Sequence, residues 1–220
     1  MSLRPLITAT TTVKSVLSTK MHLITPSSRI YNVATEAETG FVDGPFWGFV
    51  WPGSYGLAKY IQEKPGVVSD KRVLDFASGC GLSGFASLGC GARHVVFNDI
   101  DEASVEVIRM NAEVNETREE VYSTVSENLI HQPVEDIDVI IAGDVCYEED
   151  LAREVTSWLS SRAATQTVLI GDPGRWSSKE HLEGAEGNNI EKVAEYELPR
   201  WLREDNHGMT STSVWEVMRR

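Results

Sequence analysis

The sequence has few cysteines and no pairing pattern among them. Cys80, Cys90 and Cys146 are an odd number without a C-x-x-C pair, which argues against a disulfide framework or a structural zinc site and fits a reducing compartment. No uninterrupted apolar run approaches the roughly 20 residues that span a bilayer, and no histidine pair has metal-ligand spacing. Internal repeats, low-complexity blocks and Pro/Gly-rich linkers are also lacking. The 220 residues therefore suit one α/β domain with a substantial core. Residues 1–35 hold no acid at all; they carry Arg4, Lys14, Lys20 and Arg29 amid many Ser and Thr residues. They also lack the continuous apolar stretch of a secretory signal. This composition matches a mitochondrial transit peptide or a disordered tail, although the Thr run is a poor helix former. Residues 36–220 are then the folded domain. The formal charge is −13, and without the first 35 residues it is −17. So acidic a body is repelled by phosphates, which argues against RNA or DNA as substrate, and it attracts a basic protein surface.

What is present, from residue 71 onward, is an alternation of short apolar runs with helical stretches. "KRVLDFA", "HVVFND", "YSTVSEN", "DVIIAG" and "TVLIGD" read as strands. The helices between them include "LSGFASLGC", "DEASVEVIRMNAEV", with Ala103, Val107, Met110 and Val114 at helical spacing, and "EEDLAREVTSWLSSR", with Leu151, Val155 and Leu159 four apart. Such alternation implies a parallel sheet wrapped by helices. The end differs: "IEKVAEYELP" and "GMTSTSVWEVM" are β-like runs separated by "RWLREDNH", with no convincing helix between them. The expected fold is a Rossmann-like, seven-stranded α/β sheet, mostly parallel, with an antiparallel C-terminal strand pair.

Four stretches carry chemistry. In "VLDFASGCGLSGFAS" the first strand runs to Asp75, and Ala77, Gly79 and Gly81 line a tight turn into a helix, where small residues let the backbone approach a ligand. Counted from Ala77 and Gly79, a dinucleotide fingerprint G-x-G-x-x-G wants its third glycine at residue 82, where the chain has Leu82. Asp75 beside the turn suits a cationic amino-acid moiety better than a pyrophosphate. In "VVFNDID", Asp99 closes the second strand where Rossmann-type sites hold ribose hydroxyls, and Asp101 is left to cap the next helix. "GPFWGFVWPGSYGLAKYI" brackets a turn with Trp47 and Trp51, which reads as core, lid or cofactor packing. In "DVIIAGDVCYEED" a buried strand ends on Asp144, with Tyr147 three residues on. Glu148 and Glu149 suffice for the following helix dipole, so Asp144 is free for another task. Ligands in open α/β sheets bind beyond the carboxyl ends of the strands, and Asp75, Asp99 and Asp144 all fall there.

Taken together, "WGFVWPG", "VLDFASGCG", "VFNDID", "GDVCY", "IGDPGR" and "TSTSVW" occur in the order found in the seven-β-strand (class I) protein lysine methyltransferases. Asp144-Val145-Cys146-Tyr147 matches their D/E-x-x-Y/F signature. "GDPGR" followed by a terminal "TSTSVW" is similar more narrowly to the members that act on the β subunit of electron transfer flavoprotein. The resemblance covers residues 45–217. It departs from the family at Ala77, where a glycine is usual. It implies S-adenosylmethionine as methyl donor, a lysine of a protein substrate as acceptor, the electron transfer flavoprotein β subunit as that protein, and the mitochondrial matrix as location, with the cytoplasm as alternative. It also implies catalytic roles for Asp144 and Tyr147. Carried over by motif, Trp51, Asp75, Ala77, Gly79, Gly81, Asp99, Ile100, Glu127, Asn128 and Asp144 line the cofactor site. Within that set Asp75 faces the methionine amino group, Asp99 the ribose, and Glu127 or Asn128 the adenine edge, and Trp51 packs on the cofactor. Arg175 would frame the substrate entrance, and Cys146 would serve in packing. A monomer without metal or membrane span is expected. Rival readings are methyl transfer to another protein or a small molecule, and a catalytically silent binding module. The lack of an "NPPY"-type motif after the fourth strand weighs against nucleic-acid bases.

Overall fold

A computed structural model of the chain describes residues 3–28, 30–31, 44–178, 181–182, 189–206 and 208–219. Residues 3–28 of the basic N-terminal segment are folded in it. Helix α1 (Arg4–Thr10) begins with Pro5 in its first turn, where the missing N–H costs nothing. Strands β1 (Thr12–Val16) and β2 (Thr19–Leu23) follow as an antiparallel hairpin. Its two-residue turn, Leu17-Ser18, takes positive φ at both positions, as the twist of a tight hairpin demands.

The main sheet has seven strands in the order β5-β4-β3-β6-β7-β9-β8. Strands β3 (Arg72–Phe76), β4 (His94–Asn98), β5 (Tyr122–Val125), β6 (Val139–Gly143) and β7 (Thr167–Asp172) are parallel. β9 (Ser211–Val217) pairs antiparallel with β7, and β8 (Ile190–Glu197) antiparallel with β9. This is the expected sheet with its antiparallel C-terminal pair. The chain starts at β3, steps outward to β5, then returns to lay β6 on the other side of β3. That reversal opens a crevice at the carboxyl ends of β3 and β6.

Helices α2 (Pro52–Glu63), α3 (Leu82–Gly89) and α4 (Glu102–Val114) supply Leu57, Ile61, Leu82, Phe85 and Ile108 to one face of the sheet. Helix α5 (Glu149–Arg162) covers the other face with Val155, Trp158 and Leu159. Strand period 2 sorts β3 between these layers: Val73 packs with the first cluster, Leu74 and Phe76 with the second.

Two expectations need correction. The segment "RWLREDNH" holds a short helix, α6 (Arg200–Asp205), whose Leu202 is fully buried and whose Trp201 meets Tyr55 edge-on at 6.4 Å. Six residues are too few to display a helical period. The second correction concerns the N-terminus, where the described residues are not a disordered tail apart from the body. Helix α4 is apolar on two faces, and only Ile108 and Ala112 belong to the sheet-side cluster. Ala103, Val107 and Met110 form a separate cluster with Ile7, Ile24, Ile30 and Trp47. Asn111 and Asn115 then pair with β2 as another strand would. Asn111 Oδ1 accepts from His22 N at 2.7 Å, Asn115 Oδ1 accepts from Lys20 N at 2.9 Å, and Asn115 Nδ2 donates to Lys20 O at 2.6 Å. Arg4 bridges Glu106 and Glu113 on the same helix. The expected boundary at residue 35 lies outside the described residues.

Met21 is fully buried, in the same core cluster as Leu57 and Phe85. Met21→Ala is therefore expected to lower the unfolding free energy by about 2–4 kcal/mol, read from urea melts of the full chain. An unchanged midpoint would contradict the packing of this segment.

Candidate active site

Helix α2 begins where the sheet ends, and its first turn lies directly across the carboxyl ends of β6 and β7. Three glycines permit the crossing. A Cβ on Gly53 would stand 2.1 Å from Gly171 O and 2.6 Å from Asp144 Oδ2, one on Gly143 2.8 Å from Ser54 N, and one on Gly171 2.2 Å from Gly53 O. Pro52 sets the first helical φ without needing a donor. The result aims a free helix N–H at the end of β6: Ser54 N donates to Asp144 Oδ2 at 3.1 Å, in a region where the helix dipole favours negative charge. Asp144 takes φ +59°, a conformation Asp tolerates better than most residues, and its own N–H donates to Gly171 O at 2.9 Å.

The second oxygen has a different donor. Arg175 Nη2 donates to Asp144 Oδ1 at 2.9 Å, with both side chains largely buried. The guanidinium lies 5.9 Å from the centroid of the Trp51 ring, and Trp51 in turn donates its indole N–H to Phe46 O. "GDPGR" is thus more than a turn. Asp172 is fully buried, and its Oδ1 accepts from Gly174 N, Arg175 N and Ser178 Oγ, a local capping pattern that fixes the backbone from which Arg175 projects. Burial pushes the Asp144 carboxyl up to about 7; the Arg175 charge and hydrogen bond and the Ser54 N–H oppose that rise, while Asp172 adds to it. Cys146 is buried, its thiol pushed up to about 12 chiefly by burial, in keeping with packing.

At the other end of the crevice the Gly-rich turn leaves β3. Ser78 N donates to Asn98 O, Ser104 Oγ to Gly79 O at 2.7 Å, and Gly79 N to Asp99 Oδ2 at 2.8 Å. Asp99 Oδ1 accepts from Asp101 N, and Asp101 accepts from Ala103 N as the cap of α4. Each Asp99 oxygen has spent one acceptor site and keeps capacity for hydroxyl donors. Ile100, beside it, is 72% exposed, a large apolar side chain offered at the mouth of the crevice. Buried Asn98 donates to the carbonyls of Val125 and Glu127, which draws the loop after β5 to the end of β4. That brings exposed Glu127 near Asp99, while Asn128 Oδ1 is used locally by Ile130 N.

The turn shows why small residues stand there. Ala77 has φ +51°, Gly79 +51° and Gly81 +83°. A Cβ on Gly79 would meet nothing within 4 Å, so the turn opens on free space, whereas Gly81 is closed in by Phe85, Phe97 and Ile108. Gly84 corrects the glycine count. Measured from Gly79, the spacing Gly79–Gly81–Gly84 does fit G-x-G-x-x-G, and a Cβ on Gly84 would strike Phe97 at 2.2 Å and Asp75 Oδ2 at 2.7 Å. The third glycine therefore lets α3 pack on the sheet, and Leu82 does not exclude a nucleotide.

The other expected site residues have surroundings of their own. Asp75 is the penultimate residue of β3, and strand alternation turns it toward α3 instead of into the crevice. Its Oδ1 accepts from Ser83 Oγ and its Oδ2 from Gly84 N, each at 2.9 Å; it is 1% exposed, and burial pushes its carboxyl up to about 7. It ties the start of α3 to β3 from within. Trp51 has Phe46, Phe49 and Arg175 as neighbours, which places it at the Asp144 end. Tyr147 is 61% exposed; what burial it has, then the carboxylates of Glu148 and Asp99, push its hydroxyl up. It stands on the rim between the two ends of the crevice. Ser54, Asn98 and Ser104 carried no sequence signal, since small polar residues at helix starts and strand ends are common.

A family model described as lysine methyltransferase matches residues 44–181. The electron transfer flavoprotein beta subunit lysine methyltransferase of Danio rerio is 36% identical over 197 residues, covering 89% of this chain and 74% of that protein. The chain belongs to this lysine methyltransferase family. Among solved structures, a putative RNA methyltransferase from Pyrococcus horikoshii superposes with TM-score 0.55 at 11% identity over 98% of this chain and 97% of the other. A putative methyltransferase complexed with SAH gives TM-score 0.56 at 12% identity over 76% and 49%. These likenesses speak to the fold. S-adenosylmethionine is the methyl donor of the family, and the open side of Gly79, the spare acceptors of Asp99 and exposed Ile100 fit it. The protein is thus an S-adenosylmethionine-dependent lysine methyltransferase.

Ala77 pays for its left-handed backbone with roughly 1 kcal/mol, so Ala77→Gly should raise the thermal midpoint without loss of cofactor binding by calorimetry. Gly53→Ala should act in the opposite way. It has to lift α2 off Gly171 and Asp144, and methyl transfer is expected to fall by at least about tenfold through lost alignment, measured with labelled donor.

Proposed function

We propose that the protein methylates lysine side chains of the electron transfer flavoprotein β subunit in the mitochondrial matrix. The name of the Danio rerio relative supports the substrate; the basic, acid-free composition of the first 35 residues supports the compartment as a signal retained in the mature chain, since Ile7, Met21 and Ile24 are buried in the fold. The observation that carries the chemistry is the Asp144 carboxylate. It is held by Ser54 N–H and Arg175 at the same crevice that presents Gly79 and Asp99.

When bound, S-adenosylmethionine supplies a methyl on a positively charged sulfur, which leaves as the neutral thioether when nitrogen forms the new bond. A lysine ammonium has no lone pair, and its reference pKa of about 10.4 keeps it protonated at neutral pH. The chain's own residues address that obstacle. Asp144 draws the ammonium into the crevice and accepts a hydrogen bond from it, which fixes the line of approach. Burial removes water and favours the neutral amine. The proton leaves to Asp144 or to solvent. Tyr147 and Phe46, both exposed at the rim, offer apolar surface to the lysine stem. Alignment is the main contribution of the site.

The test is incubation of the full chain with labelled donor and purified electron transfer flavoprotein β subunit, with peptide mapping of the product. Label on lysine is expected, and Asp144→Asn should lower it by about 100-fold or more while calorimetric donor binding persists. Label on another protein or on a small molecule, with none on this subunit, would reject the substrate. A tagged full chain that fractionates with cytosol alone would reject the compartment.

A further inference from the structure

We propose that Arg175 is a positioning residue for methyl transfer: its guanidinium fixes the Asp144 carboxylate, charged and oriented, where the substrate amine arrives. The inference deepens the lysine methyltransferase reading and rests on it. Its basis is the way the pair is built. Asp144 receives one donor per oxygen, and the two donors come from different elements, Ser54 N–H from the start of α2 and Arg175 Nη2 from the loop after β7. Without Arg175, Oδ1 has no donor among the described residues, in a site that is nearly closed to water, since the Asp144 side chain is 7% exposed. An orphaned buried carboxylate takes up a proton, and then neither attracts an ammonium nor accepts its hydrogen bond.

Arg175 is held for this task on several sides. Asp172 caps its backbone N–H, the Trp51 ring lies beside the guanidinium, and Arg175 Nε is buried without a partner. An Nε left unpaired in a buried site is a cost; it shows that the guanidinium is placed to serve Asp144 and not to satisfy itself. The ionisable groups facing Asp144 are few among the described residues. From β7 and its loop come Arg175 and Asp172, and on its own segment Cys146, whose thiol stays protonated; α2 contributes a backbone N–H. Asp172 pushes the Asp144 carboxyl toward protonation, and Arg175 opposes it. A fixed cation at this point has a second effect: it disfavours a second positive charge beside it, so a lysine seated against Asp144 loses its proton more readily. Charge alone does not define the role. A planar guanidinium can lie against Trp51 while one nitrogen reaches Oδ1, whereas a lysine keeps the charge without the plane.

The test uses the full chain with Arg175→Gln and Arg175→Lys, checked for folding by thermal melts. In ligand-free protein labelled with ¹³C at aspartate carboxyls, the Asp144 signal is assigned with Asp144→Asn and followed against pH. Arg175→Gln should move its midpoint up by about one pH unit or more, with Arg175→Lys in between. In parallel, kcat/KM for methyl transfer is compared with that of the unmodified enzyme across pH. For Arg175→Gln the ratio should rise between about pH 6 and about pH 9, as Asp144 regains its charge. Arg175→Lys should recover a substantial part of the loss at neutral pH, and calorimetric donor affinity should stay constant. Equal Asp144 midpoints in all three proteins would overturn the proposal. So would a ratio independent of pH with Arg175→Lys no better than Arg175→Gln, which is the mark of a merely structural residue. The carboxylate titration needs no methyl acceptor, so failure of the unmodified enzyme on the proposed substrate rejects that substrate while the midpoints still decide the case of Arg175.

Discussion

The site depends on one close crossing of backbone over backbone. Helix α2 meets the ends of β6 and β7 at Gly53, Gly143 and Gly171, and no side chain fits between them. Contact at that distance does what a side-chain hydrogen bond does less rigidly. It brings a helix N-terminus, with its free N–H groups and partial positive charge, onto the carboxylate that leaves β6. The first turn of α2 is therefore both a packing element and part of the electrostatic environment of Asp144. Trp51, one residue before it, reaches back to Phe46 and beside Arg175, so the segment that seats the helix also lines the approach to the acid.

Three aspartates near the strand ends have three different tasks, and their surroundings assign them. Asp75 is enclosed and bonded to α3, so it shapes the glycine turn. Asp99 is partly exposed and spends one acceptor site per oxygen on Gly79 and Asp101, so it can still bind hydroxyls. Asp144 is nearly buried but opposed by a cation and a helix N-terminus, so it carries charge where charge is hardest to keep. A buried ion pair is weak evidence of stability, because apolar residues of similar volume commonly do as well. Its presence here beside a Trp face and a left-handed Asp backbone, at the crevice where the glycine turn opens, is better understood as chemistry than as support.

Much of this was legible in the sequence. The alternation of apolar runs with helical stretches fixes a parallel sheet, the β-like tail gives the antiparallel pair, and Asp144 follows the strand that becomes β6. Legibility ends where a residue's direction matters more than its position. Asp75 stands near a strand end in sequence, yet one step of strand alternation turns it inward. Gly84 looks like an ordinary helix residue until Phe97, from β4, is placed 2.2 Å from its missing Cβ. The N-terminal segment misleads by composition: its basic, acid-free character suits a tail, while Ile7, Met21 and Ile24 are too widely spaced to form a pattern. Met21 joins the sheet-side cluster, the partners of Ile7 and Ile24 are far along the chain on α4, and only the second apolar face of that helix hints at something covering it.

That covering ties the N-terminus to the cofactor end of the crevice. Helix α4 starts at Asp101, next to Asp99, and Ser104 in its first turn holds Gly79 O. The orientation of α4 thus sets the geometry of both Asp99 and the glycine turn. One side of α4 rests on the sheet, which fixes its height but leaves rotation about its own axis weakly determined. The other side is fixed by Ile7, Ile24 and Trp47, by the pairing of Asn111 and Asn115 with β2, and by Arg4 between Glu106 and Glu113. Contacts on two opposed faces restrain both height and rotation. Residues far in sequence from any motif therefore help shape the crevice by clamping the helix that follows Asp99.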